Sequence, residues 1–244
     1  MATPPSNTLT TARDQARSHV VAQVLSAAGR QLSNAGAGSL SLRAIARELG
    51  IASSAIYRYV PSRDALLTLL IVQGYDDLGA YVEDATRKPR RADLPRRWTA
   101  ICRSTREWAA QHPSQWALLY GSPVPGYAAP QDTVPPAARV PSLVVALLAD
   151  AVRRGRLDDG SALPVSPRLR STLKPAHAFA LQLAPGVDLP DELLVRGLAA
   201  WEWLVGAVSY ELSGHRVGSV ADDDTYVDEV VHRIGTWVGL LPPR

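Results

Sequence analysis

Two short amphipathic segments on either side of Gly50 constrain the fold of this chain more than any other feature. Before the glycine, apolar side chains recur at positions 42, 45, 46 and 49, the spacing of one face of an α-helix. A second short segment runs from about Ser53 to Val60 and ends before Pro61. Glycine tolerates the positive φ of a tight turn, and Ala46 is small enough for two helices to cross closely. The pattern predicts a helix-turn-helix over residues 41–60.

The helical register separates a buried face from an exposed face. The predicted core positions are Leu42, Ile45, Leu49, Ile51, Ile56 and Val60. The outward positions of the second helix are Ser53, Ser54, Tyr57 and Arg58. A helix fits the major groove of DNA, where the base edges are distinguishable, so we expect this second helix to be a recognition helix. An ordinary helical hairpin inside a larger bundle is the alternative.

Several residues around this unit have the chemistry of phosphate contacts. Ser41 and Ser62 each begin a predicted helix, and Arg63 follows at once. Hydroxyl groups, arginines and the amides of capped helix starts commonly bind phosphate. Positions 53–55 have short side chains, so we expect specificity to depend on DNA shape or on Arg58 and Tyr59. The predicted DNA-contact set is Ser41, Arg43, Ser53, Ser54, Ala55, Tyr57, Arg58, Tyr59 and Arg63.

The rest of the chain also has helical periodicity. Further helices are predicted at 14–35, after Ser62, and at 95–111, 114–120, 139–154, 190–213 and 223–240. The segment 122–136 is predicted to be a loop because it is rich in proline, and 158–190 is predicted to hold one or two short helices. No alternating strand pattern appears, so the expected fold class is all-α. We expect a disordered tail at 1–12, a helix-turn-helix domain at 13–61 and a helical effector-binding and dimerisation domain at 62–244.

Charge and composition agree with this division. Residues 1–73 carry seven arginines and three acidic side chains, a net charge of +4 in a chain whose total is +3. A basic N-terminal third is typical of a nucleic-acid reader joined to another module. A single cysteine, Cys102, excludes an intrachain disulfide, and no apolar stretch approaches the roughly 20 residues of a membrane span. Without a secretory signal, we expect a cytoplasmic, nucleoid-associated protein with no membrane partner.

The stretch from Ser41 to Leu67, SLRAIARELGIASSAIYRYVPSRDALL, resembles the TetR family of bacterial transcriptional regulators. Val60 stands where that family usually has phenylalanine, and Arg63 where it usually has lysine; the likeness covers about residues 14–72. It implies a three-helix DNA-binding domain followed by a helical domain. It also implies a homodimer, in which the last two long helices of each subunit form a four-helix bundle. Two-fold pairing would separate the recognition helices by about 34–36 Å and require a near-palindromic operator.

A second stretch, WALLYGSPVPGYAAP from Trp116 to Pro130, is similar to one branch of that family. The branch also has a Trp-His-Gly pattern in a late helix. Trp201 and Gly206 fit this pattern, but Val205 occupies the position of the histidine. Any polar role of that histidine is therefore absent from this chain.

All six tryptophans lie after residue 97, in the predicted effector domain. An inducer site needs a largely apolar cavity with a few fixed polar groups. The predicted ligand-binding set is Trp98, Arg106, Trp116, Tyr120, His177 and Trp201. The alternative for each tryptophan is a place in the core or in the dimer interface.

No catalytic motif accompanies these features. The chain lacks a phosphate-binding Gly-rich loop, a Gly-x-Ser-x-Gly elbow and a His-Glu-x-x-His sequence, and its five histidines are scattered. We therefore expect neither an enzyme, nor a metal site, nor a cofactor. The sequence predicts a repressor that a small, largely apolar inducer releases from DNA. A DNA-binding activator, a ligand-independent DNA binder and a helical bundle that acts only through protein partners remain as alternatives.

Overall fold

The computed structural model describes residues 12–155 and 165–242, and every regular element in these two ranges is helical. This confirms the all-α prediction. The α-helices are α1 (Ala12–Ala35), α2 (Leu42–Glu48), α3 (Ser53–Ile56), α4 (Arg63–Arg87), α5 (Leu94–Gln111), α6 (Pro113–Tyr120), α7 (Val134–Ala137), α8 (Arg139–Arg153), α9 (Pro167–Thr172), α10 (Lys174–Leu183), α11 (Asp191–Leu212) and α12 (Asp223–Val238). The predicted tail at 1–12 lies outside the described residues except for Ala12, which begins α1.

Two predicted element boundaries were wrong. The second helix of the helix-turn-helix ends at Ile56 and not near Val60, because the amide of Tyr59 bonds the Ile56 carbonyl and tightens the chain into turns. The proline-rich segment 122–136 does not remain a loop to its end, since a 3₁₀ turn at Gln131–Thr133 leads into α7. Pro135 and Pro136 are tolerated there because the first amides of a helix have no intrahelical partner.

The N-terminal helices enclose their own hydrophobic core. Buried side chains of α1, α2 and α3 pack together, among them Val24, Ile45 and Ile56, each fully inaccessible to solvent. Leu66 and Leu67 from the first turns of α4 complete this core. The core therefore extends beyond residue 61, where the sequence had suggested that the DNA-binding unit ends.

A larger core lies between the remaining helices. The C-terminal half of α4 packs along α5, and α8 and α11 close the core from the other side. Trp98 and Trp108 of α5 and Leu147 of α8 are among its largest fully buried side chains. Since α4 contributes to both cores, it fixes the position of the N-terminal unit relative to the rest of the protein.

Within residues 12–155 and 165–242, no single helix is both long and apolar enough to cross a bilayer. One bent pair, Gln131–Ala137 with Arg139–Arg153 at 48°, meets the requirement together, by length and composition alone.

A buried carboxylate ties α8 to the segment that enters α5. The Asp150 side chain is only 6% exposed, and its Oδ2 accepts a hydrogen bond from Arg97 Nη1 at 2.7 Å. Arg91 donates to both carboxylate oxygens at 3.1 and 3.2 Å. Burial acts to raise the pKa of Asp150, but the hydrogen bonds from Arg91 and Arg97 outweigh it and hold the pKa below its ordinary value.

We expect Asp150→Asn to destabilise the fold by about 2–4 kcal/mol, because Arg97 would keep a largely buried charge without its partner. Arg91→Ala is the matched control and should cost much less than Asp150→Asn, since the Arg91 side chain is 75% exposed and its ion pair is screened by solvent. The lowered pKa of Asp150 means that its contribution is complete above about pH 4 and is lost as the pH falls further. Urea unfolding at pH 7 and near pH 3 measures both effects. An equal gap between wild type and Asp150→Asn at the two pH values would contradict this account.

Candidate nucleic-acid interface and effector site

The turn at Gly50 sets the angle between α2 and α3. Gly50 has φ +67°, and its neighbour Ile51 donates its amide to the Ala46 carbonyl at 3.0 Å. An L side chain is strained at this φ, so glycine is the favoured residue here. Ile56 and Val60 point into the core and are fully buried. This fixes which face of α3 remains in contact with solvent.

The outward face agrees with the helical register. Ser53, Ser54, Tyr57 and Arg58 are all exposed, and Tyr57 retains 42% of its surface. Ala55 is half-buried on the same short helix. The exposed group offers three hydroxyls and one guanidinium, a combination suited to phosphates and base edges.

Two serines of the predicted interface act as helix caps. Ser41 Oγ accepts the amide of Ala44 at 3.3 Å, and Ser62 Oγ accepts the amide of Ala65 at 3.0 Å. These hydrogen bonds provide acceptors for amides in the first turns of α2 and α4 that would otherwise have no partner within the helix. They also orient the remaining amides of each first turn, where an anion is favoured.

The arginines around the helix-turn-helix differ in whether they form an ion pair with a described residue. Arg30 binds Glu48, with Nε at 2.8 Å from Oε1. Arg43, Arg47 and Arg58 are exposed and form no ion pair with any residue in the described ranges. Arg47 follows Arg43 by one helical turn, a spacing that could have placed it in the predicted contact set, from which it was omitted.

Arg63 and Tyr59 are both partly buried, which the helical register alone did not indicate. Arg63 is half-buried, and its Nη2 donates to the carbonyls of Ala37 and Gly38 at 2.9 and 3.3 Å. It therefore joins the start of α4 to the loop after α1. Tyr59 is half-buried against the N-terminal core, with the guanidinium of Arg17 5.9 Å from its ring centre.

Three of the six predicted ligand-binding residues are engaged elsewhere. Trp98 is fully buried in the core and donates Nε1–H to the Val231 carbonyl at 2.9 Å. Arg106 forms a two-pronged pair with Glu211, and its other terminal nitrogen lies 2.7 Å from Asp224. His177 Nε2 lies 2.8 Å from Asp191 Oδ1. These contacts join α5 to α11 and α12, and α10 to the start of α11.

The other three predicted residues form an aromatic cluster. The ring of Tyr120 lies 4.4 Å from that of Trp116 and 6.1 Å from that of Trp201, centre to centre. Tyr75 of α4 packs edge-on against the same tyrosine at 5.8 Å. Burial raises the pKa of Tyr120 well above its ordinary value. The cluster joins α6 to both α4 and α11.

Trp201 also borders an apolar cavity of about 100 Å³ between α8, α10 and α11. Its lining residues are Pro141, Val144, Val145, Leu148, Ala176, Phe179, Leu194, Gly197, Leu198 and Trp201. None of these side chains is charged. Ligand pockets for drug-sized molecules commonly measure 300–1,000 Å³, so this cavity has room for a smaller apolar group.

The loop after α6 contacts the DNA-binding unit directly. Val124 and Tyr127 pack against the N-terminal core, as does Leu118 of α6. The hydroxyl of Tyr127 lies 2.9 Å from Thr68 Oγ1 near the start of α4. The aromatic cluster and this loop thus form a continuous line of contacts from α11 to the N-terminal core.

Within residues 12–155 and 165–242, no group of three or more histidine, cysteine or acidic side chains is arranged to hold a metal ion.

Comparisons with known proteins agree with this organisation. Residues 24–78 match the family described as bacterial regulatory proteins, tetR family, and residues 98–234 match the family described as Tetracyclin repressor-like, C-terminal domain. The chain is 40% identical to the HTH-type transcriptional regulators Rv1816 of Mycobacterium tuberculosis and Mb1846 of Mycobacterium bovis. Each alignment spans 233 residues, covering 91% of this chain and 93% of the relative.

Solved structures share the fold. The crystal structure of SCO4313 is 30% identical and superposes with a TM-score of 0.73, over 92% of this chain and 98% of that one. PfmR from Thermus thermophilus, a TetR family transcriptional regulator, is 15% identical with a TM-score of 0.51, over 91% and 100% of the two chains. The family matches and the extended identity to helix-turn-helix regulators, together with the exposed arginine-bearing face of the helix-turn-helix, lead to one conclusion: this chain belongs to the TetR family of transcriptional regulators.

Proposed function

We propose that this regulator is a cytoplasmic repressor that binds a near-palindromic operator as a homodimer and leaves it when a small, largely apolar ligand binds. The observation that carries the proposal is the exposed face of the helix-turn-helix. The helix-turn-helix exposes Arg43, Arg47 and Arg58, which have no acidic partner among the described residues, and it also exposes the hydroxyls of Ser53, Ser54 and Tyr57. Uncompensated cations beside a protruding helix favour a polyanion, and the short polar side chains fit a groove.

The first test measures DNA affinity on a duplex selected from a random library by the wild-type protein. We expect Arg43→Ala and Arg58→Ala each to weaken binding and to lower the slope of log affinity against log salt by about one, because one fewer counterion is released. Tyr57→Phe should weaken binding without changing the slope, since it removes a neutral hydroxyl. Fluorescence anisotropy over a salt series gives both quantities.

Arg87→Ala is the control for this test, because Arg87 is also an exposed arginine but lies at the far end of α4, where its Nη1 is 3.9 Å from Asp84 Oδ1. It should leave both affinity and slope unchanged. If Arg87→Ala weakened binding as much as Arg58→Ala did, the effect would reflect net charge and the assignment of this face would be wrong.

Dimerisation is supported by apolar side chains left in solvent on the last two long helices. Leu198 and Tyr210 of α11 are 45% and 60% exposed, and Trp237 of α12 is 44% exposed. Tyr226 lies three turns before Trp237, on the same face of α12, and is also exposed. Large exposed apolar groups on adjacent helices are typical of a subunit interface.

We expect wild-type protein to sediment as a dimer, and Leu198→Glu and Trp237→Glu each to shift it toward monomer, because a buried unpaired carboxylate opposes association. Leu181→Glu on α10 is the matched control, since Leu181 is 48% exposed but lies outside the two helices. Analytical ultracentrifugation at micromolar concentration distinguishes the states. Dissociation by Leu181→Glu, with the α11 and α12 variants still dimeric, would move the interface to α10.

Ligand release is supported by the apolar cavity and by what surrounds it. Trp201 forms part of the cavity wall and contacts Tyr120, which contacts Tyr75 of α4. An occupant that displaced Trp201 would push on the same aromatic cluster that holds α6 against α4. The uncharged lining favours an apolar ligand, and a volume of about 100 Å³ favours a small one.

We expect small apolar probes, namely benzene, indole and short aliphatic alcohols, to weaken binding to the selected duplex. Ala176→Phe should remove this response, because the new ring fills the cavity and leaves no room for a probe. Leu181→Phe, on the same helix but outside the lining, should respond like wild type. Mobility shifts with and without each probe provide the measurement. Unaltered DNA binding with every probe would contradict ligand release by this cavity and favour an activator or a ligand-independent regulator.

A further inference from the structure

The recognition helix α3 is a single turn, Ser53–Ile56. An isolated turn of this length is not stable in water, so its conformation depends on neighbouring contacts. At its start, Ala52 provides no side-chain cap. Ile56 and Val60 anchor its inner side to the core. The outer end, where Tyr57 and Arg58 point toward the proposed DNA surface, therefore needs another restraint.

That restraint comes from α1. Arg17 Nη1 donates to the Arg58 carbonyl at 3.1 Å, across 41 residues of sequence. Among the described residues, no backbone amide donates to this carbonyl. The guanidinium also lies 5.9 Å from the ring centre of Tyr59, within cation–π range. One side chain thus contacts two consecutive residues at the end of the recognition turn.

We propose that Arg17 is a positioning residue for DNA recognition, which holds the end of the recognition turn in its binding conformation before DNA arrives. A cation near the last carbonyls of a helix is favoured by the carbonyl dipoles and satisfies an acceptor that the turn leaves open. The flat guanidinium can bond the carbonyl and face the ring at once, which a lysine ammonium does less well. Fixing the Arg58 backbone limits where the side chains of Tyr57 and Arg58 point.

Arg17 could instead act only as one more phosphate-binding cation. The two roles differ in the absence of DNA: a positioning residue stabilises the recognition turn in the free protein, whereas a phosphate contact leaves that turn unchanged. Arg47 is a suitable comparison, since it is an exposed arginine of the same domain whose side chain forms no ion pair or hydrogen bond with any described residue.

The decisive experiment is hydrogen exchange of the free protein, followed from milliseconds to minutes by mass spectrometry. In wild type, the amides of Arg58, Tyr59 and Val60 are hydrogen-bonded within the turn. We expect Arg17→Ala to accelerate their exchange by about three- to tenfold, the range for losing one exposed, charge-assisted hydrogen bond. Arg17→Lys should give a smaller increase, and Arg47→Ala none. Unchanged exchange in Arg17→Ala overturns the proposal, as does an increase that extends equally through α2, because that would be general loosening of the domain.

A second readout rests on the operator binding proposed above. Against the selected duplex, Arg17→Ala should lose about three- to tenfold in affinity, with the salt slope changed by less than about half a unit and affinity for a scrambled duplex nearly preserved. An equal loss on both duplexes with a slope lower by about one identifies Arg17 as a phosphate contact and overturns the positioning role. Because hydrogen exchange uses no DNA, failure of operator binding itself would be distinguishable from failure of this inference.

Discussion

The burial of α4 in two separate cores is the constraint on which the rest of the structure depends. Leu66 and Leu67 at its start close the core of the helix-turn-helix, and Leu78 and Val82 further along pack in the larger core. A continuous helix transmits displacement along its axis, because its backbone hydrogen bonds resist bending. In the proposed ligand release, a displacement of the second half of α4 would therefore reach the core of the helix-turn-helix. The fold provides this connection without a flexible linker.

A second connection runs beside α4 and is made of side chains. Tyr120 contacts Trp116, Trp201 and Tyr75, and the following loop returns to the N-terminal core through Val124 and Tyr127. Close-packed rings respond to an inserted group by moving together, since there is little free volume to absorb it. In the proposed ligand release, an occupant of the small cavity beside Trp201 would act on the start of α4 through these contacts. Contact alone does not measure that coupling, which is why DNA affinity with a filled cavity is the informative quantity.

The sequence predicted the parts of this protein that short-range rules determine. The register around Ala46 and Gly50 was sufficient to separate buried Ile56 and Val60 from exposed Tyr57 and Arg58, because helical periodicity and one positive φ fix both. Helical periodicity did not predict which residues would border the proposed effector site. Trp98 and Trp201 have the same residue type and both lie on long helices, yet one is in the core and the other borders a cavity. Whether a tryptophan lies in the core or borders a cavity depends on contacts between helices that are distant in sequence. The residues next to the tryptophan do not indicate those contacts.

The arginines show the same division most sharply. From the sequence alone, three arginines of the basic N-terminal domain look alike: Arg17, Arg58 and Arg63. In the structure they differ in the groups that they contact. Arg63 donates hydrogen bonds to two carbonyls of the loop after α1, Arg17 donates one to the carbonyl of Arg58, and the Arg58 side chain forms no ion pair with any described residue. Net charge of the domain therefore overstates the number of cations available to DNA. An arginine that satisfies a backbone carbonyl contributes to the shape of the reading surface, whereas one left without a partner contributes to its affinity. Specific recognition requires both, since a cation that attracts DNA discriminates little unless the backbone carrying it is held in place.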